Sequence, residues 1–212
     1  MKEYWKIVLL GIGLFFIGCQ STPEPLSEEK IIAEEDEKEL EEEFIDSLEL
    51  KQGEIPEDWE KIDLGKGYYI AFPQEPRKKE KKQKKQINYK LKKKKYSFVT
   101  NITSLSEEES FAENRERRNA YYKAIVHDLI EGISKEDNPA ELVLQQPFYF
   151  LEIYEGLKAI VEADDVTVFV QYIIIGDTLY AISFVLWSDV TDAILQMKDK
   201  YFYSFGKELY IE

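Results

Sequence analysis

Runs, alternations and helical spacings of apolar residues divide this chain into segments. Ile7 to Gly18 (IVLLGIGLFFIG) is uninterrupted, but shorter than the roughly 20 residues a spanning helix needs. Residues 20 to 55 are polar and acidic, and only Leu40, Phe44 and Leu48 recur at helical spacing. Pro56-Glu57-Asp58-Trp59 opens the region where large apolar residues become regular. Gly65-Lys66-Gly67 leads into Tyr68-Tyr69-Ile70-Ala71-Phe72, an aromatic, β-branched run stopped by Pro73 and Pro76, which predicts a strand. Ile87, Tyr89 and Leu91, then Tyr96, Phe98, Thr100 and Ile102, alternate with polar residues and predict two strands joined around Lys92 to Lys95, with one wet face.

Ser106 followed by Glu109 fits a capping box. The helix it opens places Phe111, Arg118, Tyr122, Ile125, Leu129 and Ile133 on one stripe and should end near Gly132 to Ser134, before Asn138-Pro139. Four β-rich runs follow: FYFLEIY, LKAIVEA, VTVFVQYIII and TLYAISFVLW. Glu155-Gly156, Asp164-Asp165 and Gly176-Asp177 separate them as two-residue turn candidates, which predicts an antiparallel meander. Ser188-Asp189 then caps a last helix through Ala193, Leu195, Met197 and Tyr201, and Phe202 to Phe205 closes the domain. Two or three strands, a long helix, four strands and a final helix predict an α+β sandwich, helices packed against an antiparallel sheet.

Charge sharpens these boundaries. The whole chain carries a net −14. Residues 20 to 60 hold 17 acidic and 3 basic residues, whereas 61 to 212 hold 24 and 23. Like charge at that density opposes collapse, so residues 19–55 read as a self-repelling tether, with a helix bearing the Leu40-Phe44-Leu48 stripe as the alternative. As a coil the tether would reach roughly 30–40 Å. The domain follows as residues 56–212, large enough to hold a core without disulfides. Within it, Arg77 to Lys95 carries 12 basic residues against Glu80 alone.

The start of the chain resembles a bacterial lipoprotein signal. Lys2 and Lys6 precede the apolar run, and the chain's one cysteine follows Phe16-Ile17-Gly18 directly. The resemblance implies cleavage between Gly18 and Cys19, residues 1–18 as signal peptide, and lipid on Cys19. It implies attachment to a membrane of the bacterial cell envelope, the outer membrane favoured because Gln20 is not the Asp that retains such proteins at the inner one. The competing reading is an uncleaved anchor with a buried thiol. The domain, in turn, resembles the PsbP-like fold: a YYIAFP strand, a helix, EGLKAIVEA, the long hairpin VFVQYIIIGDTLYAISF and a helix ending YFYSF, spanning about residues 59 to 206. Members of that group are binding or assembly accessories, and the lysine-rich segment has no counterpart among their features.

Catalytic chemistry is thinly represented. His127 is the lone histidine and reads as a solvated side chain off the apolar stripe. With Cys19 lipidated, the usual zinc ligand sets lack members and a Ser-His or Cys-His dyad is out of reach unless His127 itself serves, so no metal and no cofactor are expected. Asp164-Asp165 reads as a turn, and Glu152, Glu155 and Glu162 as a wet strand face. One candidate stands above this background, an anion-binding patch made of Arg77, Lys78, Lys79, Lys81, Lys82, Lys84, Lys85, Lys90, Lys92, Lys93, Lys94 and Lys95. Two readings compete for it: lysines blunting an exposed sheet edge, or a surface for an anionic partner, either another molecule or the chain's own tail. The sequence therefore predicts a non-enzymatic, membrane-anchored lipoprotein that binds a protein or envelope polymer and no nucleic acid. An envelope hydrolase with an unrecognised site and a structural spacer are the alternatives.

Overall fold

The structure, a computed structural model, describes residues 50–106, 114–187 and 189–208. Gly18, Cys19, the tether up to residue 49, Glu109, Phe111 and Ser188 lie outside the described residues. Seven antiparallel strands form the main sheet: β3 (Arg77–Lys81), β4 (Gln86–Lys92), β5 (Tyr96–Ser104), β9 (Thr178–Leu186), β8 (Val166–Ile175), β7 (Tyr154–Ala163) and β6 (Glu141–Phe150), in that spatial order. A small sheet of β1 (Glu60–Gly65), β2 (Tyr68–Phe72) and the short β10 (Gly206–Lys207) accompanies it. Helix α1 (Arg115–Ile133) lies between β5 and β6 in sequence, and α2 (Asp192–Tyr203) between β9 and β10.

Strict alternation along the central strands builds two cores, one per face. Tyr180, Ile182, Phe184 and Leu186 of β9 join Ile70 and Phe72 of the small sheet, Tyr201 of α2 and Phe205 just beyond it in the first. Leu179 of β9, Val170, Tyr172 and Ile174 of β8, and Leu157 and Ala159 of β7 pack with Tyr122 and Val126 of α1 in the second. The main sheet is thus sandwiched between α1 and a layer made of the small sheet and α2. Rings dominate the first core: Phe98 meets Trp59, Phe72, Tyr96, Phe184 and Tyr201 at centroid distances of 4.9 to 6.4 Å. The buried Tyr201 hydroxyl lies 2.6 Å from Thr100 Oγ1, so the ring's polar end is satisfied where it is desolvated.

Leu50 to Ile55, ahead of Pro56, belong to the same compact unit as the strands. Gly53 N donates to Tyr203 O at 2.7 Å, Gln52 Nε2 donates to Phe205 O, and Ile55 packs on the first core.

Several expectations need correcting. Glu60–Gly65 and Arg77–Lys81 are strands, so five strands precede α1 where two or three were expected. The Lys92–Lys95 connection, the Asp164-Asp165 and Gly176-Asp177 turns and the end of α1 at Ile133 stand as read. Glu155-Gly156 is not a turn. Both residues lie inside β7, and the chain reverses at Leu151–Ile153 instead, with Leu151 and Glu152 at φ of 50° and 61°. Strand β6 accordingly reaches back to Glu141, through Pro147, which an edge strand tolerates because its missing N–H removes no ladder bond on the open side. The described part of α1 is capped by Asn114, whose Oδ1 accepts from Arg117 N at 2.9 Å. Thr191, not Ser188-Asp189, caps α2, its hydroxyl accepting from Ile194 N.

Candidate functional site

The basic run forms two strands and the turns that flank them. Arg77, Lys78, Lys79 and Lys81 lie on β3, and Lys82 and Lys84 in a 3-10 turn. Lys85 follows in the left-handed region at φ 46°. Lys90 and Lys92 lie on β4, and Lys93, Lys94 and Lys95 connect it to β5. Residues facing each other across an antiparallel pair share one face of the sheet, so the register divides the run.

Lys78 faces Tyr89 and Glu80 faces Ile87, and these rungs look toward the first core, which Tyr89 joins and Ile87 packs against. There Lys78 Nζ lies 2.9 Å from Glu80 Oε1 and 5.8 Å from the Tyr89 ring centre. The hydrogen bond from Lys78 holds the Glu80 carboxyl below its ordinary range. That side is locally neutralised.

On the opposite side Arg77 faces Lys90, Lys79 faces Asn88 and Lys81 faces Gln86. Lys92, two residues beyond Lys90, shares the same side. Five cations therefore share a face on which β3 and β4 place no acid. Among the described residues, Arg77, Lys79, Lys81 and Lys90 have no ion-pair or hydrogen-bond partner, and Lys92 Nζ sits 5.4 Å over the Trp187 ring. The remaining members of the run sit on turns, as Lys93 does with its bond to Gln74 Oε1.

Other titratable groups have structural explanations. Glu155, 9% exposed, accepts from Arg115 at 2.7 and 3.1 Å and from Arg118 at 3.0 Å, clamping the start of α1 to β7. Tyr122 Oη completes the clamp, donating to Glu155 O at 3.2 Å and accepting from Ile174 N at 2.9 Å. Burial pushes that phenol up to about 12. Lys158 is half-buried with its Nζ 5.2 Å over the Phe148 ring, and burial next to Lys198 lowers its pKa. His127 is exposed, 3.6 Å from Glu131, and with Asp128 these make an open cluster of ligating groups on the outer surface of α1. Glu152 and Glu162 are exposed.

The clamp predicts a pH dependence. The Arg115 hydrogen bond, then the Arg118 one, hold the Glu155 carboxyl below its ordinary value in the folded chain. A depressed folded pKa means that this stability is complete above the unfolded value of about 4.3 and is lost as pH falls through the folded one. Glu155→Gln should lower the melting temperature at pH 7 and flatten its decline below pH ~4. Parallel acid limbs in melting curves of the two proteins would contradict it.

The fold is similar to that of CyanoP, the cyanobacterial PsbP of Synechocystis sp. PCC 6803, solved in solution. The TM-score is 0.51 at 14% identity, over 71% of this chain and 93% of that one. A protein of unknown function from Pseudomonas aeruginosa aligns over 66% of this chain and 88% of its own at 12% identity, with a TM-score of 0.35, too low to argue from. No protein-family model matches the chain, and no curated protein matches it. The likeness to CyanoP, with two helices on antiparallel sheets, shows that the folded unit has the PsbP-like α+β fold.

Proposed function

We propose that this protein is a bacterial cell-envelope lipoprotein, held to a membrane by lipid on Cys19, whose PsbP-like domain is a non-enzymatic binding or assembly accessory. One observation carries the reading: the chain's one cysteine stands directly after Gly18 at the end of an apolar run too short to span a bilayer. Acyl chains contribute about 0.8 kcal/mol per buried CH₂, so the multiple chains of a bacterial lipoprotein give stable attachment without any spanning helix. The acidic tether separates the domain from the bilayer, and the outer membrane is favoured by Gln20. What supports binding over catalysis is where the charge lies. The domain's strongest concentration of like charge lies on β3, β4 and their turns, with five of its cations on one sheet face, while the buried polar residues among those described are Ser97, Thr100, Thr178 and Ser204.

Growth of the producing cell with radiolabelled palmitate tests the anchor. Wild-type protein should take up label and appear at its processed size, and Cys19→Ala should remain an unlabelled precursor. Equal labelling of the two would end the lipoprotein reading. Capture from membranes with the intact lipidated protein then recovers the partner, and an acidic protein or polymer is the expected catch.

A further inference from the structure

We infer that the uncovered face of β3, β4 and β5 is the ligand site, and that it takes a linear, phosphate-bearing polymer. The registers extend the cationic rungs into one continuous surface. Arg77 and Lys90 continue into Val99 and Ser183; Lys79 and Asn88 into Asn101 and Ala181; Lys81 and Gln86 into Thr103; Lys92 into Ser97 and Val185. Such side chains stand about 5 Å apart across strands and roughly 6.5 Å apart along them.

Helix α1 leaves this surface open. Among the described residues, the second core takes its members from α1, β7, β8, β9 and Leu105, and none from β3, β4 or β5. Asn88, Asn101, Gln86 and Thr103 are all half-exposed, a polar floor that an apolar helix face would not cover, with Val99 half-exposed among them. Asn88 Nδ2 donates to Asn101 Oδ1, so each amide is fixed while its remaining hydrogen-bonding groups stay available. The open surface ends at Lys92, beside which Ser97 is wholly buried.

Edge protection does not account for the arrangement. Charge on β3 alone blunts the open edge. Lys90 belongs to β4 at a rung paired on both sides, with Arg77 and with Val99, and it points to the same side as Arg77, Lys79 and Lys81. Charge complementarity fixes the occupant as an anion, and the array of cations across two strands favours one that repeats its charge. Amide and hydroxyl groups between the cations suit phosphate oxygens and polymer hydroxyls. A lipid surface fits less well, since interfacial binding combines basic and apolar residues on one side. The exposed Trp187 meets these cations through Lys92, whereas Leu142, Val143, Tyr149 and Ile153 lie on or just beyond β6, the opposite edge of the sheet.

The inference deepens the binding-module reading and supplies its ligand class, yet it is tested without the anchor. The full chain in neutral detergent is titrated with long-chain inorganic polyphosphate at low salt. Wild type should bind, and Lys79→Glu/Lys90→Glu should bind at least about tenfold more weakly. Lys82→Glu/Lys94→Glu changes net charge equally within the same run but off these rungs, and should stay close to wild type. Lys79→Gln/Lys90→Gln guards against misfolding: its log K against log salt should be shallower by about two, one for each cation removed. Equal loss in the two glutamate pairs, or no binding by wild type, would overturn the site. Displacement of polyphosphate by phosphatidylglycerol in mixed micelles at a lower phosphate concentration would assign the face to lipid and overturn the polymer. Loss of palmitate labelling leaves all these outcomes untouched, so the two readings fail separately.

Discussion

Phe98→Ala should destabilise the folded unit by about 3–5 kcal/mol, a large part of the 5–15 kcal/mol that holds a typical domain together. Phe98 is fully buried at the centre of the first core, with five other rings around it, and the edge-on contacts with Trp59, Phe72, Phe184 and Tyr201 add to plain burial. The cavity would open where β5, the small sheet and α2 meet, so no single element can shift to fill it. At roughly 2–4 °C per kcal/mol for a unit of this size, the melting temperature should fall by about 6–20 °C. Val99 provides the internal control. It is the next residue on the same strand, points to the uncovered face and is half-exposed, so Val99→Ala should cost about 1 kcal/mol or less. Denaturant melts of both variants decide the matter, and equal losses would mean that the two faces of β5 are not packed as described.

The same two faces explain what was legible in the sequence. In β8 and β9 large apolar residues recur on every second position or fill the run, and Gly176-Asp177 supplies a positive φ between them, so hairpin and register could both be read. Strand β3 could not. Its residues, RKKEK, are all exposed and offer no apolar period, and its strand character comes only from pairing with β4. Strand β1, EKIDLG, fails similarly, since Leu64 is its one buried residue. The turn at Leu151–Ile153 was invisible because Leu and Glu occupy left-handed positions that turn chemistry assigns to Gly, Asn or Asp. Leu151 is retained there by packing on the first core, a tertiary reason no local pattern carries. The candidate site was half visible. The basic run stands out as composition, but which five cations share a face depends on a register that turns alone do not set.

Two glycine-to-alanine substitutions should have opposite signs, and together they test the corrected course of β7. Gly156 looked like turn punctuation and is instead a strand residue in a confined place. A Cβ there would lie 2.6 Å from the Phe148 ring and 2.7 Å from the Tyr172 carbonyl oxygen. Phe148 faces Gly156 directly on β6, and Tyr172 belongs to β8 on the other side, so the added methyl group would press on both neighbours of β7. A ring can tilt, but a carbonyl in a paired strand moves only with its ladder. Gly156→Ala should therefore cost about 1–3 kcal/mol, as overpacking does elsewhere. Gly132 sits in the last turn of α1, with nothing within 4 Å of a Cβ built on it. Alanine there removes backbone freedom from the unfolded chain and meets no obstacle, so Gly132→Ala should stabilise by about 0.5–1 kcal/mol. Were Gly156 at the tip of a hairpin, alanine would meet open space and the two variants would differ little. Thermal melts at one pH distinguish these cases: a lower midpoint for Gly156→Ala beside a higher one for Gly132→Ala is the expected pair, and a neutral Gly156→Ala would return the turn to Glu155-Gly156.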